Sequence, residues 1–324
     1  LNYDPGPGDV ITTGSGAIQL QSPVQLTANA QITSTSGTAT FSGDVSDAAT
    51  NNLTVNVGTG DIDLSTDSVS LGGTITLTGA DVNVDAPAGT LTVQTANAAI
   101  GINTTGATII ADGDDLTVTS GTGGGSVSLD SIRGATTANN KNVSVTAGTG
   151  TVEIDGQVGA SAVAGSREIN NVTIQADDFD LPGGASTTDP LTIDGALTLY
   201  TQTATREMLF GAADVAKFNL IDAEIARIQE VSSGASAIVI GEAGTQEGEI
   251  RFTTADFDTN LNSGAGADVV VSADAGAGSI YFDDEDTGAA LDVGDGQLDL
   301  LAGTGGISAE NFAHTGDSIA EPEI

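Results

Sequence analysis

Residues 53–64 read Leu53-Thr-Val-Asn-Val-Gly58-Thr-Gly60-Asp-Ile62-Asp-Leu64. Apolar residues occupy every second position and Thr, Asn and Asp fill the others, the pattern of a strand with one buried and one solvated face. The glycine pair between the two alternating stretches supplies backbone angles that other residues resist, so it marks a corner. The same phrase returns as Val143-Ser-Val-Thr-Ala-Gly148-Thr-Gly150-Thr-Val152-Glu-Ile154 and as Val269-Val-Val-Ser-Ala-Asp-Ala-Gly276-Ala-Gly278-Ser-Ile280. Looser copies surround Gly121 to Gly125 and Gly303 to Gly306.

Repetition of one strand–corner–strand unit fits either an antiparallel sandwich or a parallel solenoid whose turns stack. Short strands, small inward residues and the lack of two-residue Asn-Gly hairpin signals favour the solenoid. At about 20 to 25 residues per coil and about 4.8 Å per rung, the chain would make on the order of 14 coils and a rod roughly 70 Å long.

Composition agrees with a thin, regular interior. Of 324 residues 39% are hydrophobic, enough to drive folding, yet only 3% are aromatic and Trp is absent, so Val, Ile, Leu, Ala and Thr must build the core. Seven basic against 44 acidic residues leave a formal charge of −37, which repels nucleic-acid phosphates and anionic membranes. Such charge is tolerable when spread along a rod in a salty medium. With no Cys, neither disulfides nor thiolate metal sites are available. No run of 18 apolar residues appears, so no membrane insertion is expected, and the start at Leu1 reads as a processed or excised segment of a longer secreted precursor.

One stretch departs from the alternation. Within residues 212–231, Val215, Phe218, Ile221, Ile225 and Ile228 recur three or four apart, which predicts an amphipathic helix capped by Asn219, with Asp222 three residues on and Gly234 as its stop. The chain then divides into an extended segment 1–8, a solenoid 9–211, a helical interruption 212–234, a second solenoid stretch 235–308 and an extended tail 309–324.

Few residues suggest chemistry. His314, the single His, falls in the tail, which leaves nucleophilic catalysis without a base. Carboxylates gather at Asp112-Gly-Asp114-Asp115, Asp177-Asp178-Phe-Asp180 and Asp283-Asp284-Glu285-Asp286, and a carboxylate pair can hydrolyse glycosides. Carbohydrate sites usually offer aromatic platforms, though, and only Tyr3, Tyr200 and Tyr281 are present beside Phe. Calcium suits acidic corners better; Asp268, Asp283, Asp284 and Asp286 are the candidate ligands, Asp268 lying in a single Gly264-Ala-Gly266-Ala-Asp268 fragment of a calcium nonapeptide. No cofactor is otherwise required. Sequons at Asn52, Asn103, Asn142 and Asn171 arise readily in Thr-rich strands, and Lys141 among Asn139, Asn140 and Asn142 reads as a turn. Thr-x-Thr pairs at Thr38 to Thr40 and Thr74 to Thr76 suit ordinary outward strand positions better than a regular ice-binding array.

These phrases, together with Phe218-Asn-Leu-Ile-Asp-Ala-Glu-Ile225-Ala-Arg-Ile228, Ala237-Ile-Val-Ile-Gly241 and Gly248-Glu-Ile-Arg-Phe252, resemble the repeats of filamentous-haemagglutinin-like bacterial surface proteins. The resemblance implies secretion, a right-handed parallel β-helix (β-solenoid) and a role in adhesion or surface architecture. The fold class expected is therefore all-β with one short helical interruption. The function expected is non-enzymatic: a secreted, cell-surface subunit that polymerises head-to-tail with itself through residues 1–8 and 309–324. A monomeric adhesin stalk that binds a host or surface receptor is the nearest alternative, and a carbohydrate-active β-helix enzyme the alternative of a different class.

Overall fold

The computed structural model describes residues 10–136, 141–159, 169–182, 190–214, 216–229, 237–257, 268–283, 290–293 and 297–310. Every strand pairing in it is parallel, and the chain winds as a β-solenoid of about ten turns. At about 4.8 Å per rung that is a stack roughly 50 Å tall, shorter than the repeat length suggested. The coils lengthen along the chain: Ala30 pairs with Leu53, 23 residues on, but Val143 pairs with Val172, 29 on, and Leu197 with Ile238, 41 on.

Each early coil lays down three strands on three faces. In the third coil these are Leu53–Asn56 on the first face, Ile62–Leu64 on the second and Ser68–Leu71 on the third. Ile75–Gly79, Val82–Val84 and Thr90–Thr95 follow above them in register. Further on, the strands Asn142–Ile154 and Asn171–Asp180 each run around a corner and serve the third face first and the first face afterwards.

Alternation buries one residue in two, and the register stacks like on like. On the third face Val24, Val45, Val69, Val93, Val118, Val145, Ile174, Leu199, Ile240, Val271 and Leu300 form one aliphatic column along the whole stack. Burying such a side chain contributes roughly 1.5–3 kcal/mol, which offsets the cost of ordering the polar residue beside it, about 1–2 kcal/mol for its backbone. The outward column of the same face runs Ser68, Thr92, Thr117, Ser144, Thr173 and Thr198 before Val239, Val270 and Asp299 end the run of hydroxyls.

Corners are set by backbone proximity. Gly58 has φ +60°, and a Cβ there would collide with the Thr35 carbonyl of the coil below; Gly148, at φ +56°, meets Gly123 in the same way. Two constraints, handed angle and carbonyl contact, explain why the phrase keeps glycine at this position.

The interior is not uniformly thin. Phe179, Phe218, Phe210, Phe252 and Phe282 form an aromatic stack inside the first face, with successive ring centroids 6.3, 6.2, 5.2 and 5.5 Å apart. The few aromatic residues are thus concentrated where the later, longer coils have more volume to fill.

The helix expected over residues 212–231 is corrected to a single turn, Asp222–Ile225. Asn219 does not cap it. It sits inside the strand Phe218–Ile221, where Phe218 and Leu220 point inward and pair with Met208 and Phe210 of the strand Met208–Gly211. Apolar residues two apart in a strand, followed by a turn, reproduce the three-and-four spacing of a helix. No break in the third face accompanies the interruption, since Leu197–Tyr200 pairs directly with Ala237–Ile240. The last described rung, Gly306–Glu310, extends two residues past 308, where the solenoid was expected to give way to the tail.

Replacing Leu199, fully buried in the aliphatic column, by Ala should lower the unfolding free energy by about 2–5 kcal/mol. Thr198→Ala, on the outward side, should stay within about 0.5 kcal/mol. Urea unfolding followed by circular dichroism distinguishes the two.

Candidate functional site

Most of the acidic residues that could have marked a catalytic or metal site staple one coil to the next. Asp47 Oδ1 accepts the Gly72 amide at 2.9 Å, Asp67 Oδ1 that of Ala88 at 2.7 Å, and Asp81 Oδ1 that of Ala107 at 2.8 Å. In the first acidic group, Asp114 Oδ2 accepts the Ala86 amide at 2.8 Å, and Asp115 Oδ1 accepts Asn142 through both its amide, at 2.8 Å, and its Nδ2, at 2.9 Å. In the second, Asp177 accepts the Thr203 amide at 2.8 Å and its hydroxyl at 2.6 Å. A charged acceptor on a backbone amide strengthens the bond, and the amide would otherwise be left bare at a corner. The sequence signal was present as Asp beside strand ends; its spatial partner, 20 to 30 residues away, was not.

Of the candidate calcium ligands, Asp268 and Asp283 are described and lie on different faces. Asp268 begins a strand on the third face and accepts the Gln297 amide at 2.9 Å, whereas Asp283 ends a strand stacked on the first face and pairs with Arg251 Nη1 at 3.2 Å. Asp284 and Asp286 lie outside the described residues, as do His314, Asn139 and Asn140. Among the described residues no group of three or more His, Cys, Asp or Glu is placed to hold a metal ion. Asn142 and Asn171, two of the sequon residues, bond to each other at 2.8 Å in an outward amide ladder, and Asn52 Oδ1 accepts the Thr74 amide at 2.8 Å.

Lys141, beside the residues read as a turn, is buried: its side chain is 0% exposed and its Nζ lies 2.7 Å from Asp112 Oδ1. That ammonium, with the Thr136 hydroxyl, holds the Asp112 carboxyl below the usual range.

Unusual electrostatics gather instead where the strand Asn171–Asp180 meets the coil that follows. Burial raises the carboxyls of Asp130, Glu153 and Asp178, and neighbouring carboxylates raise Asp130 and Glu153 further. Glu224, in the one-turn helix, is pushed up to about 7, first by burial and then by Asp180, whose carboxyl lies within hydrogen-bonding reach. Nearby, Arg227 is 1% exposed and donates to the carbonyls of Ile154 at 3.4 Å and Gly156 at 2.9 Å. Neither Glu224 nor Arg227 stood out in the sequence, because each occupied a position in an apparently amphipathic helix.

A second unusual surface is the carboxyl-terminal end of the stack. Leu298 is 37% exposed, Leu301 47% and Ile307 52%, and these are the exposed large hydrophobic residues among those described. Leu298 and Leu300 cap aliphatic columns of the third face, and Ile307 continues the column of Ile250 and Ile280. Among the described residues, Leu298–Ala302 and Gly306–Glu310 have a ladder partner on one side only.

Compared with protein-family models, curated proteins and solved structures, the chain matches none of them. No helix among the described residues is long and apolar enough to cross a membrane.

Arg227→Met keeps apolar volume but leaves two buried carbonyls without their donor, which should cost about 1–3 kcal/mol in urea unfolding. Arg133→Met, at a partly exposed 3.8 Å contact with Asp81, should change stability by no more than about 0.5 kcal/mol.

Proposed function

We propose that the chain is a structural rod, a secreted or cell-surface subunit that stacks end-on with copies of itself into a filament. The observation that carries this reading is the apolar end: among the described residues, aliphatic columns stop at Leu298 and Ile307, 37% and 52% exposed, with Leu301, 47% exposed, on the same rung as Leu298, in strands that have a ladder partner on one side only. An apolar end on a chain of charge −37 is a poor surface for water and a good one for another rung. Strand addition would extend the backbone ladder, and a head-to-tail contact repeated without closure gives a fibre.

The repeated Gly-x-Gly phrases and their likeness to filamentous-haemagglutinin-like surface proteins support an architectural role outside the cell. So does the use of acidic residues as staples between coils, which leaves Asp44, Asp47, Asp67, Asp81, Asp114 and Asp177 engaged in holding the stack together. This role needs no cofactor and no catalytic residue. Calcium, where present, would act by screening the charge between neighbouring rods.

Negative-stain microscopy and sedimentation velocity of the full chain, with and without millimolar calcium, test the proposal. The native chain should form fibres or axial oligomers, and a Leu301→Lys, Ile307→Lys double variant should remain as single rods with an unchanged circular dichroism spectrum. Single rods for the native chain at every concentration would replace the filament with a monomeric stalk. Hydrolysis of a polysaccharide by the native chain would replace it with an enzyme.

A further inference from the structure

The first face is not one continuous sheet. Its ladder runs up to the strand Asn171–Asp180, and a separate five-stranded sheet begins with Phe218–Ile221. Strand order is inverted there: Phe218–Ile221 lies next to Asn171–Asp180, and the earlier Met208–Gly211 sits one rung further on, between Phe218–Ile221 and Ile250–Phe252. Where backbone would meet backbone across this seam, a carboxylate stands in. Glu224 accepts the Leu181 amide through Oε1 and the Ile221 amide through Oε2, both at 2.8 Å, so that one side chain grips both sides.

Glu224 is 7% exposed, and its other neighbour is the Asp180 carboxyl. Two carboxyl groups within hydrogen-bonding distance need a proton between them. The remaining charged groups give little relief. On the helix itself Asp222 is held by the Thr254 hydroxyl at 2.8 and 2.9 Å, and Ala255–Asp256, packed against the helix, adds a further acid. The strands Met208–Gly211 and Phe218–Ile221 contain no charged residue, and Lys217 beside them is engaged by Glu207 at 2.9 Å and Asp214 at 3.8 Å. Arg227 directs its guanidinium to the Ile154 and Gly156 carbonyls.

We propose that this seam is a proton-controlled hinge: a proton on the buried Glu224 carboxyl, which bonds to amides on both sides, keeps the two sheets of the first face together, and its release to solvent lets them part. The third face, whose ladder continues from Leu197–Tyr200 to Ala237–Ile240, would hold the rod together while the first face opens. Because the Glu224 carboxyl is raised from 4.5 to about 7 in the closed state, the closed seam binds more protons than the open one between those values. The proton's contribution to closure is therefore fully present below about pH 4.5 and is lost as pH rises through about 7.

Hydrogen exchange of the full chain at pH 5.5, 7 and 8.5, corrected for the intrinsic rate, tests this at the clasped amides. Protection of Leu181 and Ile221 should fall about 30-fold between pH 5.5 and 8.5 relative to Val118 and Val145 in the uninterrupted ladder. Glu224→Gln, which accepts a hydrogen bond but carries no charge, should abolish that difference; if it does not fold, Asp180→Asn, which can donate to Glu224, should do the same. Equal pH dependence at seam and ladder, or an unchanged pH dependence in the folded variant, overturns the proposal.

Discussion

Register between successive coils is the constraint on which the molecule depends. Because side chains alternate with a period of two, a slip of one residue would turn the column from Val24 to Leu300 outward and bring Ser and Thr into the core. Everything else is arranged to keep that from happening. Glycine corners let carbonyls of adjacent coils approach, and Asp side chains at corners and on strands accept amides of the neighbouring coil. Stacked hydroxyl and amide residues cover the outer surface. A chain with so large a negative charge remains compact because many of its acids are spent on backbone amides, where charge strengthens a bond.

The same logic explains where the structure becomes irregular. Coils that lengthen must fill more volume, and the Phe stack from Phe179 to Phe282 fills it. An additional strand, Met208–Gly211, sits out of order in the first face, so one boundary in that face cannot be closed by ordinary ladder bonds. Glu224 closes it, and Arg227 ties the second face back to the end of the strand Asn142–Ile154. Glu224 and Arg227 are therefore buried at the junction between two sheets, whereas Lys141 is buried against Asp112 within the uninterrupted stack. Both Glu224 and Arg227 bond to backbone groups, as side chains that hold a stack together do.

Two features bear on assembly at different scales. In a filament of the kind proposed, the apolar end would offer the next copy a ladder edge and unfinished aliphatic columns, and the proposed seam would be the place where the stack yields. A rod continuous on its third face and jointed on its first would bend in a defined direction, with joint and end several rungs apart.

Sequence by itself determined the solenoid: alternation in Leu53-Thr-Val-Asn-Val, the recurring Gly-x-Gly corner and the small inward residues allow no large globular core. These are local properties, and a period of two is visible within five residues. Only the tertiary structure decided the rest. Residues 212–231 present a helical spacing that is produced by a strand and a turn, and pairing of Phe218 with Met208 settles the matter in a way no local window can. Lys141 looked like a turn among asparagines and is buried against Asp112, an acid one coil away. Glu224 matters because Leu181, 43 residues earlier, lies across a seam that exists only once strand order is inverted. Stacking brings residues 20 to 40 apart into contact, and the identity of those partners is a property of the register, which depends on the length of every intervening corner.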